Sequence, residues 1–429
     1  MRLAGSPTER IAISAFEASS DTVLLRLSDS AERGELGMSG GRVRDHGISR
    51  VIGSSVMSQP ISSNRRGFRG LLAAVLALLL AAAGLAGAPA GAEPGLTAEQ
   101  LAGQRVIYSY PGLVPPESLF EDIRGGRAAG VIFFGENISS TDQIAGVVAR
   151  LRRAQAESPI SAPLLLMTDQ EGGLVRRLPG EPVLSAKQVG QSADSLGTAV
   201  NTGFGAGNTL RGLGMNVNLA PVLDVYDTPG NFIDRTQRSY SDNPLVVAAL
   251  GSAFIAAQQS TGIAATAKHF PGLGSAPAGQ NTDLGPVTLP VSRSTLWSRD
   301  EVPYSVAVVA GVKLVMMSWA IYPALDAERP AGLSPTIIDQ ELRDHNGFRG
   351  VTITDALEAG ALNAFGDTGR RAVTAAAAGM DLILCSARDI GQGHDATTAL
   401  ADAYTDGRLD PAAFRAAVGR VDSLRAGLR

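Results

Sequence analysis

The chain has 429 residues, 45% hydrophobic and 18% charged, enough apolar material for a large core and a globular fold. Its 50 glycines and 23 prolines fall short of a collagen-like or low-complexity composition, and a net charge of −4 supplies no basic field to hold nucleic acid. A single cysteine, Cys385, excludes an internal disulfide and a multi-cysteine metal site.

In chain order, the first element is an export signal peptide at 65–92. Arg65, Arg66 and Arg69 precede an apolar run from Leu71 to Ala83, and small residues follow, ending in the A-x-A pattern Ala90-Gly91-Ala92. Cleavage there leaves Glu93 first. The apolar run is shorter than the roughly 20 residues that span a bilayer, so the expectation is an exported protein, extracellular or envelope-associated, with a membrane partner only if the segment stays uncleaved. Arg65-Arg66-Gly67-Phe68 fits a twin-arginine motif and an ordinary basic n-region equally. Residues 1–64 carry scattered charges without periodicity. They read either as a mis-assigned upstream extension, with Met57 the true start, or as a disordered one.

The remainder, 95–429, is expected to form one domain. Eight short apolar runs recur in it: Val106 to Tyr110, Gly130 to Phe134, Leu164 to Asp169, Asn216 to Asp224, Ala264 to Phe270, Lys313 to Ser318, Gly350 to Asp355 and Asp381 to Ser386. Each is followed by a longer, helix-like stretch. Nearly continuous apolar runs imply strands buried on both faces, and alternation with helices implies parallel crossovers. Eight such units predict an α/β fold, a (β/α)8 barrel of TIM type; the competitor is an open doubly wound sheet, against which the count of eight and the lack of an early G-x-G-x-x-G argue.

In such a barrel the chemistry sits where the strands run out into their following loops. Four of the runs end in conspicuous polar residues: Asp169, Asp224, the pair Lys268-His269, and Asp355. An isolated aspartate at a strand end is ordinarily a loop support. Several charges converging on one rim are poorly explained by stability, because buried charge is costly unless paired.

Asp169-Gln170-Glu171-Gly172-Gly173, Asn218 to Asp224 (N-L-A-P-V-L-D), Arg238-Ser239-Tyr240, Lys268-His269-Phe270-Pro271-Gly272 and Ile353-Thr354-Asp355-Ala356-Leu357 occur in this order. The set resembles glycoside hydrolase family 3, specifically its single-barrel bacterial β-N-acetylglucosaminidases (β-hexosaminidases) acting on peptidoglycan fragments, from about Leu96 to about Leu428. The resemblance implies a retaining, exo-acting glycosidase with a carbohydrate substrate, no cofactor and no metal. It implies that Asp355 is the nucleophile, a role that suits a carboxylate facing an oxocarbenium-like centre. By the same resemblance Asp169, Arg177, Arg238, Lys268 and His269 bind the sugar, whose many hydroxyls are held by charged hydrogen-bonding groups. Asp224 is expected to support Arg238 or Lys268.

The chain departs from the family pattern in two places. The loop after K-H-F-P-G runs from Leu273 to Leu289-Pro290 without the histidine that ordinarily completes an Asp-His acid/base dyad; Asp283 lies one position from the expected aspartate. Departure of a sugar alkoxide needs a proton, and three readings remain open: Asp283 acts alone, His394 from the loop after the eighth strand supplies the group, or the chain only binds sugar. Glu358, three residues after Asp355, is expected to face the following helix. The second departure is Ser318-Trp319, where relatives often carry a small residue followed by His; Trp319 is expected to wall the sugar or to pack in the barrel mouth. An exo-β-glucosidase of the same superfamily is the alternative activity.

Overall fold

A computed structural model describes residues 95–428. The export segment 65–92 and the upstream extension 1–64 lie outside the described residues. Among the described residues, no helix is long and apolar enough to cross a membrane.

Eight parallel strands form the sheet: β1 (Val106–Tyr108), β2 (Gly130–Phe133), β3 (Leu165–Thr168), β4 (Val217–Asn218), β5 (Ala264–Phe270), β6 (Leu314–Met317), β7 (Val351–Ile353) and β8 (Ile383–Leu384). Neighbours in sequence are neighbours in space, with β1 also pairing β8. The last gap is closed by a bridge between Ile353 and Leu382 and by Thr354 N–H donating to the Leu382 carbonyl at 3.0 Å. The eight expected runs are the eight strands, and the sheet closes into the expected barrel.

Strand alternation explains why the runs are apolar throughout. Ile107, Ile132, Leu165, Met167, Leu314 and Met316 meet in the barrel interior, whereas their chain neighbours Val106, Tyr108, Val131, Phe133, Leu166, Val315 and Met317 join the layer beneath the helices. Both faces are covered, so neither needs a polar side chain.

The helical layer comprises α1 (Glu117–Arg124), α2 (Thr141–Ala156), α3 (Ser195–Gly212), α4 (Pro244–Ser260), α5 (Val302–Val309), the helical segment 336–345, α6 (Thr368–Ala377), α7 (Ile390–Thr405) and α8 (Pro411–Ala426). Their starts are written locally: Ser140, Asp194, Asn243, Asp367, Asp389 and Asp410 accept from first-turn N–H groups, and Pro244 and Pro411 sit at the first helical position. From α8, Val421 and Leu424 enter the interior cluster and plug the N-terminal end of the barrel. The opposite end, where the strands finish, is left to the loops and carries the charged residues.

Candidate active site

The loop leaving β3 is shaped by its own sequence. Gln170 clamps it: the side-chain oxygen accepts from Leu178 N–H at 2.9 Å, and its amide donates to the carbonyls of Leu178 at 3.2 Å and Glu181 at 3.0 Å. Gly172 has φ +104°, and a Cβ there would collide with the Leu184 carbonyl, so the tight return suits only glycine. The turn presents Asp169 and Glu171 to the end of β5.

Lys268, on β5, answers both carboxylates. Its Nζ lies 2.7 Å from Asp169 Oδ1 and 2.7 Å from Glu171 Oε1. Arg238 takes the same glutamate in a fork, Nε to Oε2 at 2.9 Å and Nη2 to Oε1 at 2.8 Å. Burial opposes the charge on Glu171, yet Arg238 and Lys268 outweigh it and hold the carboxyl well below the usual range. Burial likewise works against the Lys268 ammonium, and Asp169 and Glu171 overcome it, raising its pKa. Glu171, Arg238 and Lys268 therefore stay charged. Glu171 is the hub of this cluster, a role that its motif alone does not reveal. The signal available is its place in a rigid D-Q-E-G-G turn beside the strand-end residue Lys268.

His269 is oriented from behind. Its Nδ1 lies 2.8 Å from Asp224 Oδ2, and the other oxygen of that carboxylate accepts from the backbone N–H of His269 at 3.2 Å and of Leu273 at 2.7 Å. Asp224 is fully buried and acceptor-only when ionised, which places the shared proton on Nδ1 and turns Nε2 toward Arg238 Nη2, 3.5 Å away. This corrects the expectation for Asp224: it supports His269, and no ion pair joins it to Arg238 or Lys268 among the described residues.

Asp355 lies just past β7. Its Oδ1 accepts from the Ala356 N–H at 2.7 Å, and among the described residues no ion pair engages it. Burial raises its pKa; His269 lowers it, Asp283 raises it further, and Lys268 acts in the lowering direction. The electrostatic neighbours thus include both the cation cluster and the loop aspartate.

Trp319 is 1% exposed, so it offers no wall to a ligand; its indole N–H donates to the Ala356 carbonyl at 2.8 Å. The expectation of a sugar-contacting Trp319 is replaced by one of support for the peptide beside Asp355. Arg177 keeps a buried Nε without a hydrogen-bond partner among the described residues. His394 is not at the site: it lies in the second turn of α7, its Nε2 2.5 Å from Asp122 Oδ2 on α1 and its ring edge-on to Tyr108. Glu358 turns from its expected helix toward the loop after β8, accepting from Ser386 Oγ at 2.8 Å and Gln392 Nε2 at 3.1 Å. A cavity of about 920 Å³ opens at the other end of the barrel, by Lys313, Gly350 and α8; it is remote from these carboxylates and plays no part in their chemistry.

A closed barrel whose mouth gathers a carboxylate in no ion pair among the described residues beside a charge-balanced cluster of acids and bases is an arrangement suited to glycoside hydrolysis. The pattern of the glycosyl hydrolase family 3 N-terminal domain matches residues 103–424, and the chain belongs to that family. It is 44% identical over 329 residues to an uncharacterized secreted glycosyl hydrolase of Arthroderma benhamiae, covering 76% of this chain and 93% of that one. It is 32% identical to β-hexosaminidase A of Pseudoalteromonas piscicida, covering 73% of this chain and 56% of the relative. Among solved structures, a family 3 β-N-acetylglucosaminidase from Paenibacillus superposes with a TM-score of 0.73 at 35% identity, over 78% of this chain and 63% of that one. The chain thus spans less than two thirds of the last two proteins.

Proposed function

We propose that the protein is an exported, retaining, exo-acting β-N-acetylglucosaminidase that releases terminal β-linked N-acetylglucosamine from peptidoglycan fragments. The observation that carries this reading is the half-buried Asp355 carboxylate just past β7, in no ion pair among the described residues and with the Lys268–His269 strand end among its electrostatic neighbours. Likeness to relatives named β-hexosaminidase and β-N-acetylglucosaminidase supports the hexosamine preference over a glucosidase.

In the first step an Asp355 oxygen attacks C1 as the C1–O bond to the aglycone breaks, and the leaving oxygen takes a proton from the Asp283 carboxyl. The product is a glycosyl ester on Asp355. In the second, water attacks C1, its proton passes to the Asp283 carboxylate, and the ester bond breaks to return Asp355 as carboxylate. Asp169, Lys268, Arg238 and His269 hold hydroxyls, with the unpartnered Arg177 Nε as a further donor.

The test compares hydrolysis of aryl β-N-acetylglucosaminide and aryl β-glucoside by wild type, Asp355→Asn and His394→Ala, with a 2-deoxy-2-fluoro glycoside to trap the ester. Turnover of the hexosaminide by wild type and by His394→Ala, its loss in Asp355→Asn, and label on the Asp355 peptide support the reading. Preference for the glucoside, no turnover of either, or label elsewhere overturns it.

A further inference from the structure

Asp283 is exposed, on a surface loop, and its carboxylate enters no hydrogen bond or ion pair among the described residues. A general acid on such a loop is useful only if something fixes where it stands. The attachment is to the nucleophile's own segment: Gly360 N–H donates to the Asp283 carbonyl at 2.9 Å, and Ala361 N–H to the Thr282 carbonyl at 2.9 Å. The loop therefore hangs from residues five and six positions beyond Asp355.

Close approach is what makes this contact possible. A Cβ on Gly360 would lie 2.5 Å from the Leu284 carbonyl oxygen, 2.6 Å from its carbon and 2.9 Å from the Gly285 nitrogen. All three are backbone atoms, which cannot swing aside as a side-chain tip can. The φ of Gly360 is not in the left-handed region, and the residue opens a short 3-10 turn, Gly360–Phe365. Its own backbone conformation would accept alanine; the neighbouring loop would not.

The segment is itself held firmly. Leu357 N–H donates to the Leu384 carbonyl at 3.0 Å, Arg371 donates to the Leu357 carbonyl at 3.0 Å, and Trp319 holds Ala356. A side chain at 360 would thus displace the acid loop before it moved the nucleophile.

We propose that Gly360 is a positioning residue: its lack of a side chain lets the nucleophile's segment seat the Asp283 loop, so that one short stretch of chain sets both the nucleophile and the distance to its acid. This rests on the assignment of Asp283 as acid. A fixed seat also explains how a lone aspartate can work without a dyad partner to guide it.

The experiment measures kcat/KM, which reports the first chemical step, for wild type, Asp283→Asn and Gly360→Ala. Two substrates are used: a 2,4-dinitrophenyl β-N-acetylglucosaminide, whose leaving group needs no proton, and N,N′-diacetylchitobiose, whose leaving group does. Positioned acids contribute roughly 10²–10⁴-fold, so Asp283→Asn is expected to lose about 100-fold or more on the disaccharide, Gly360→Ala at least about 10-fold, and both less than about threefold on the activated substrate. Asn281→Ala, which removes the 3.0 Å bond from Asp283 N–H to Asn281 Oδ1, loosens the same loop without touching the nucleophile's segment. It is expected to show the same selective loss, smaller, and decides the matter should Gly360→Ala not fold. Selective loss in Asp283→Asn with equal losses, or none, in Gly360→Ala overturns this proposal alone. No selectivity in Asp283→Asn overturns the acid assignment, and this proposal with it.

Discussion

Glu171 grips Arg238 through two parallel hydrogen bonds of 2.8 and 2.9 Å while the same carboxylate touches Lys268 at 2.7 Å. One buried anion thus keeps two cations together. Glu171→Gln leaves them facing a neutral amide at a site where their charges repel. Breaking a buried pair of this kind is expected to destabilise the fold by about 3 kcal/mol and, because both cations proposed to hold the sugar move, to lower kcat/KM at least about tenfold. Thermal melts and steady-state kinetics check this; an unchanged melting temperature would contradict the hub role.

Trp319 reaches Asp355, the proposed nucleophile, through one peptide group. Its N–H holds the Ala356 carbonyl, and the Ala356 N–H holds Asp355 Oδ1. Trp319→Phe preserves most of the apolar volume and deletes the donor, leaving a carbonyl without its partner at a cost of about 1–3 kcal/mol. The expected signature is a kcat reduced about tenfold with KM nearly unchanged, since the residue touches no ligand. A raised KM with kcat intact would place the ring against the sugar after all.

Glu301 predicts a pH effect on stability. Burial pushes its carboxyl up to about 8; a bond from Asn346 works against the rise, and the charges of Glu341 and Asp300 add to it. Its ordinary value is 4.5, so between there and about 8 the native protein binds more protons than the unfolded chain. Stability from this group accordingly falls as pH rises through that window. Glu301→Gln cannot ionise and is expected to exceed wild type by on the order of 2–3 kcal/mol near pH 8.5, and by little near pH 4.5. Denaturant titrations at both pH values measure it; an equal difference at both would refute the shift.

The barrel was legible because every strand is buried on both faces and so stands out as a short apolar run between helical stretches. Strand lengths were less so. The run Asn216 to Asp224 is regular strand only over Val217–Asn218; beyond it the Thr266 and Lys268 N–H groups still donate to the Ala220 and Pro221 carbonyls, but Pro221 has no N–H to return, and the only further bridge among the described residues is from Val222 to Lys268. Asp169, Lys268, His269 and Asp355 could be marked from their strand-end positions, which topology alone carries to one rim. Glu171 could not be ranked so easily, since its partners lie 67 and 97 residues away and only the folded turn brings them together. His394 was misplaced for the opposite reason. Its sequence distance from β8 suits a rim loop, but α7 begins at Ile390 and carries it outward to Asp122.

The mouth of the barrel sets two acids, Asp169 and Glu171, against two bases, Lys268 and Arg238, in mutual contact. Charge is thus cancelled before any guest arrives. An uncharged hexosamine has no counter-ions to displace there, and pairs this deeply enclosed feel little of the surrounding electrolyte. Affinity of such a sugar at this cluster should accordingly be much the same in dilute and in briny surroundings.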